Sequence, residues 1–132
     1  MKAILFLFLT FGILITFSDP VGETRAYTHN TSIQPTWTKE DSQAYARDKL
    51  SEWQDEQWSC LSKLWGKESA WNPKAYNTIR VMGKNAGGIP QLLGLDPDTP
   101  PTRQIERGLA YIYYRYDTPC NAWAFFKENN WH

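Results

Sequence analysis

Histidine and cysteine are nearly absent from this chain, with two of each among 132 residues. His29 and His132 stand far apart, and neither joins the cysteines at the spacing of a zinc site, so zinc hydrolase chemistry is a poor fit and no metal is expected. No phosphate-cradling glycine-rich loop precedes a helix, which counts against P-loop and dinucleotide enzymes and leaves no cofactor to expect. Charge of one sign is also missing: 14 Lys and Arg balance 14 Asp and Glu. A nucleic-acid binder would show a basic excess or stripe, so nucleic acid is not an expected partner. There is no internal repeat and no low-complexity tract. Aromatic residues, by contrast, are plentiful at 15%, with seven Trp and seven Tyr. A chain of this length holds one small domain, here expected as a monomer, and this composition can bury a core.

Residues 3–17 (AILFLFLTFGILITF) form an apolar run behind Lys2. The run is short for a membrane span of about 20 residues and has the length of a signal-peptide core. Asp19, Pro20 and Gly22 then break it, and Thr24-Arg25-Ala26 sets small residues for a cut after Ala26. Two readings stay open: residues 1–26 as a cleaved signal peptide, or as an uncleaved anchor that meets the membrane through residues 3–17. Either places the remainder outside the cytoplasm, secreted or in the cell envelope. In such a compartment Cys60 and Cys120 are expected to pair as a disulfide. No C-x-x-C spacing and no neighbouring His marks either thiol as reactive.

Residues 27–37 read as a linker, with a glycosylation-type triplet at Asn30-Thr31-Ser32, and residues 38–132 as the domain. Thr38 and Asp41 resemble a capping box with Asp in place of Glu. The helix after them has Ala44, Tyr45, Leu50 and Trp53 for its buried side. A second helix is expected over residues 55–69, with Trp58, Leu61, Leu64 and Trp65 at helical spacing. Trp71-Asn72-Pro73 stops it. Glycines, prolines and asparagines punctuate residues 72–98, which predicts loops and a small hairpin around Ile79 to Ile89. Thr99-Pro100-Pro101 opens a third helix, with Ile105, Leu109, Ile112 and Tyr116 inward and Arg103 and Arg107 outward. Thr118-Pro119 opens the last one, with Trp123, Phe126 and Trp131 for packing, and Asn129-Asn130 ends it. The expected fold is mainly α: a small helical domain with a Gly-rich loop or short hairpin between its second and third helices.

Glu68 is the odd residue on this map. It follows Leu61 by seven positions, Leu64 by four and Trp65 by three, so it continues an apolar stripe. It also stands in the last turn before the break. A carboxyl at the end of a buried face, opening on a loop, suits general acid chemistry, because desolvation disfavours the charged form of such a group. An exposed helix-end Glu beside Lys67 is the plainer alternative. The Gly-rich stretch beyond it lets backbone approach a ligand closely. That stretch carries Asn77 and Gln91, whose amides can read hydroxyl and acetamido groups.

The segment from Trp65 through Glu68-Ser69, Trp71-Asn72-Pro73 and Asn77, followed by Gly88-Ile89-Pro90-Gln91, resembles the SLT-type lytic transglycosylases, which share the lysozyme-like fold. The family's Glu-Ser pair is matched by Glu68-Ser69. Its Gly-Leu-Met-Gln motif is matched by Gly88 to Gln91, with Ile-Pro in place of Leu-Met. Its Gly-x-x-Tyr-Ile helix is matched by Gly108 to Ile112. Small exported transglycosylase-like proteins of actinobacteria and phages also carry the patterns seen at Gln57 to Leu61 and at Arg115 to Trp123, which hold the two cysteines. The resemblance covers residues 53–131. Gly87 stands where many of these proteins have Tyr, and Trp123 where the family usually has Tyr.

The resemblance implies cleavage of the β-1,4 bond between N-acetylmuramic acid and N-acetylglucosamine in peptidoglycan glycan strands. Glu68 would protonate the glycosidic oxygen. The same carboxylate would then take the proton of the muramic 6-hydroxyl as that oxygen closes on the anomeric carbon, leaving a 1,6-anhydro end. By the same carry-over, Asn77, Gln91, Tyr111 and Trp123 would bind substrate, and Ser69 would support the loop behind Glu68. Two other functions remain as alternatives: a non-catalytic peptidoglycan-binding module of an envelope or virion, and a muramidase that uses water with help from Asp96 or Asp98.

Overall fold

A computed structural model describes residues 36–50 and 55–132. The apolar run, the cut after Ala26, the triplet at Asn30 and Trp53 lie outside the described residues, as does most of the expected linker. The elements are α1 (Lys39–Lys49), α2 (Asp55–Ser69), β1 (Ala86–Gly87), β2 (Leu92–Leu93), α3 (Pro101–Tyr116) and α4 (Pro119–Asn129). The protein is therefore a mainly helical small domain, with a short antiparallel two-strand hairpin between its second and third helices.

Local chemistry explains the starts of α1, α3 and α4. The Thr38 hydroxyl accepts from the Asp41 N–H, and the Asp41 carboxylate accepts from the Thr38 N–H and hydroxyl, which closes the capping box. Pro101 and Pro119 stand at helix starts, where the missing N–H costs nothing. Thr118 caps α4 by accepting from the Asn121 N–H, and Asn130 ends that helix in the left-handed region.

The α1 face differs from expectation. Ala44 is exposed, and burial runs instead through Ser42, Ala46 and Leu50, which follow one another at four-residue steps. Ser42 tolerates full burial because its hydroxyl donates to the Thr38 carbonyl and accepts from Trp37 Nε1. Tyr45 lies beside this stripe and donates its hydroxyl to Glu106 on α3 at 2.7 Å.

The core gathers Leu61, Leu64 and Trp65 of α2, Ile105 and Ile112 of α3, Ala122 of α4, and Trp71 and Ile89 from the loops. The expected disulfide is present: Cys60 and Cys120 join α2 to α4, closing a span of 60 residues. Gly108 sets the distance between α3 and its neighbours. A Cβ there would stand 2.6 Å from Trp65 Cζ2 and 2.7 Å from Pro90 Cβ.

The regular hairpin lies later than the sequence suggests. Ala86 and Gly87, inside the expected span, pair with Leu93 and Leu92 beyond it, and the isolated bridges Val81–Lys84 and Tyr76–Gly87 run back from a tight turn at Met82-Gly83. Both turn residues have positive φ, the requirement of a type I′ turn. The loop between the two strands is held by a buried side chain that sequence periodicity does not single out. Gln104, fully buried on α3, accepts from the Ile89 N–H at 2.9 Å through Oε1. Its Nε2 donates to the Thr99 and Pro73 carbonyls at 2.8 and 2.9 Å. One amide thus pins three loop segments. Gln104→Leu is expected to destabilise the domain by about 3 kcal/mol, because it strands a buried N–H and two carbonyls. A fall in the urea midpoint at unchanged slope checks this.

Three carboxyls sit below their ordinary range for stated reasons. The Thr38 hydrogen bonds lower Asp41, the Lys74 ammonium lowers Asp98, and the Tyr45 hydroxyl with the Arg103 guanidinium lowers Glu106. Groups lowered in the folded state add stability above their unfolded values and lose that contribution as pH falls through the folded ones. Melting temperature is expected to hold down to about pH 4 and to drop below it. Thr38→Ala should flatten part of that drop by removing the partner of Asp41.

Candidate active site

The turn after α2 sets the site. Ala70 and Trp71 both adopt positive φ, 52° and 63°, so the chain reverses directly after Ser69. Such a conformation is costly for a bulky residue and persists only where surroundings enforce it. Here the Trp71 ring is buried edge-on against Trp65, with centroids 5.3 Å apart, and its Nε1 donates to the Ser62 carbonyl. Helix α2 therefore ends abruptly, with Glu68 in its final turn and its side chain 15% exposed.

Ser69 donates its hydroxyl to the Ile89 carbonyl at 2.7 Å, tying the end of α2 to the loop at residues 88–91. Ser69 does not itself line the groove around Glu68. Gln91, at φ 50°, donates through Nε2 to the Gly88 and Ala75 carbonyls. Asn77 accepts the Ile79 N–H through Oδ1 and donates its own N–H to Ala86.

A groove of about 850 Å³ brings Glu68, Asn77, Gln91 and Tyr111 together. Its size is that of a small-ligand site. Among the described residues Glu68 is the one carboxylate that lines it. Asp96 and Asp98 are not in its wall. Asp96 accepts the Asp98 N–H, and Asp98 is paired with Lys74 at 2.7 Å. The expected binding residue Trp123 is not in the wall either. It packs against the core and stacks on Phe126, with ring planes 13° apart. Trp131, expected to pack, lies beyond α4, is half exposed and lines the groove instead. Among the described residues no three His, Cys, Asp or Glu side chains gather where a metal ion could sit.

Sequence reasoning missed three basic groove residues. Arg107 and Arg115 line it, flanking Tyr111 at four-residue steps along one row of α3. That arithmetic was available from the sequence, although both arginines are as exposed as a solvent-facing row would be. Arg115 lies 5.1 Å from the Trp131 ring centroid and 5.4 Å from that of Tyr116, within cation–π range. Burial raises the Tyr116 hydroxyl above its ordinary range, with Tyr111 adding to this and Arg115 opposing it. The third missed residue is His132, whose Nδ1 stands 2.9 Å from Glu68 Oε1. No sequence signal links two residues 64 positions apart.

The chain matches no protein-family model, and no curated protein or solved structure is significantly similar to it.

Proposed function

We propose that this chain is an exported peptidoglycan lytic transglycosylase that cleaves the bond between N-acetylmuramic acid and N-acetylglucosamine. The observation that carries the reading is the placement of Glu68. It is a largely shielded carboxyl at an abrupt helix end, in a groove shared with Asn77, Gln91 and Tyr111. The resemblance of the Glu68-Ser69 and Gly88-to-Gln91 segments to the lytic transglycosylases supports it.

A lone groove carboxyl suits this reaction better than ordinary glycoside hydrolysis, which uses a pair. Glu68 gives its proton to the glycosidic oxygen, and the bond from that oxygen to the muramic anomeric carbon breaks. The muramic 6-hydroxyl oxygen bonds to the same carbon and surrenders its proton to Glu68. The carboxyl is regenerated and no water is consumed. Asn77 offers its Nδ2 as a donor and Gln91 its Oε1 as an acceptor to acetamido and hydroxyl groups, while the rings of Tyr111 and Trp131 offer flat faces to sugar. Arg107 and Arg115 give the groove positive charge, which suits a wall polymer bearing carboxylates.

Mass spectrometry of purified peptidoglycan after digestion tests the proposal. Anhydro-muropeptides are the expected product. Reducing-end products would replace the reading with a muramidase, and bound glycan without any product would replace it with a binding module.

A further inference from the structure

The Glu68 carboxyl has a partner that the reaction as written does not use. His132 Nδ1 lies 2.9 Å from Glu68 Oε1, and the imidazole side chain is only 2% exposed. The ring packs edge-on against Tyr111, with centroids 5.9 Å apart, and more flatly against Tyr116 at 6.5 Å. Its other nitrogen, Nε2, is buried with no hydrogen-bond partner. The Tyr116 hydroxyl is also buried and unpartnered.

These facts select a tautomer. An orphaned buried N–H is rarer than an under-satisfied acceptor. A ring protonated on Nε2 would bury such an N–H, whereas a ring protonated on Nδ1 leaves only a bare lone pair there. The Nδ1–H then donates to Glu68 Oε1, and the hydrogen bond at one ring nitrogen fixes the state of the other.

We propose that His132 is a positioning residue for Glu68: its Nδ1–H occupies Oε1, so the carboxyl proton resides on Oε2. Among the described residues Oε2 has no hydrogen-bond partner, and it is the oxygen left for substrate. It delivers its proton to the glycosidic oxygen and receives the 6-hydroxyl proton in return, while His132 neither gains nor loses one. The opposite polarity, a carboxyl O–H donating to a bare Nδ1, would direct the proton away from the groove. This role rests on the lytic reading of Glu68, whereas the hydrogen bond itself can be tested without it.

The first test is ¹⁵N NMR of the protein carrying His29→Gln, so that His132 supplies the only imidazole signals. At about pH 8, where an ordinary imidazole is neutral, the expected spectrum is that of the Nδ1–H tautomer. Glu68→Ala should return the ring to the Nε2–H form that a free imidazole favours. An Nε2–H ring in the presence of Glu68 overturns the proposal. The second test is kinetic. His132→Ala is expected to lower kcat about ten- to a hundredfold with KM little changed. His132→Asn, whose amide N–H can reach the position of Nδ1, should recover most of the loss. An unchanged kcat in His132→Ala, or a rise in KM alone, overturns the positioning role. If the unsubstituted protein cleaves no peptidoglycan, the lytic reading falls and the positioning role with it. The tautomer would still report whether the pair exists.

Discussion

Glu68→Gln is expected to reduce peptidoglycan cleavage by about a thousandfold or more while the domain melts almost as before. General acid–base catalysis contributes up to about 10⁴-fold, and in the proposed reaction one carboxyl performs both halves of the proton cycle. An amide has neither a proton to give to a leaving oxygen nor the basicity to accept one from a hydroxyl. Its shape is nevertheless that of the carboxyl, and its oxygen can still accept from His132 Nδ1. The core beneath, Leu61, Leu64 and Trp65, is untouched by the change. Residual cleavage at the wild-type rate would remove Glu68 from the mechanism. A collapse of both activity and melting temperature would show that the side chain supports the fold instead. Circular dichroism beside the product assay separates these outcomes.

Replacing both Cys60 and Cys120 with Ser should cause the largest loss of stability. The bridge closes a span of 60 residues, for which chain-entropy reasoning gives about 4 kcal/mol as an upper figure. In a domain of this size that corresponds to a fall in melting temperature of about 20 °C. The bridge joins α2, which carries Glu68, to α4, beyond which lie Trp131 and His132. Loosening it therefore separates the two sides of the groove before the rest of the core yields. Activity should decline at temperatures below the melt, and the denaturant slope should rise because the unfolded chain expands. An unchanged melt, together with two titratable thiols in the native protein, would contradict the bridge.

The parts of this fold that were legible in the sequence are those set by near neighbours. The capping box at Thr38, the proline starts at Pro101 and Pro119 and the stripe through Leu61, Leu64, Trp65 and Glu68 are all short-range patterns. Of the candidate site, the sequence pointed to Glu68, Asn77, Gln91 and Tyr111, which line one groove. What escaped depends on distant contacts. Ala44 was misplaced because its helix turns Ser42 and Ala46 inward, and a buried serine is readable only once its partners are known. The hairpin was expected around Ile79 to Ile89, and its regular strands run on to Leu93, a partner that local punctuation does not mark. Trp123 was carried over by resemblance, yet its ring lies on the core side of α4. His132 meets Glu68 only through the tertiary fold.

The groove's two sides differ in how exposed they are, which has consequences for how this protein can change. Glu68 and Gln91 sit on backbone fastened from behind by Ser69 and Gln104. The opposing lip, residues 76–84, is exposed throughout, and Met82 at its tip is 91% exposed. Val81 and Met82 nonetheless line the groove. The tip of that lip, residues 78–83, can therefore vary in sequence while Asn77 and Glu68 keep their places, so new preferences can arise on an old scaffold. Exchanging residues 78–83 for a polar segment closed by the same kind of turn should leave the melt unaltered and shift which glycans are accepted. Grafting at this loop is the route by which one catalytic frame could be retargeted among walls of different composition.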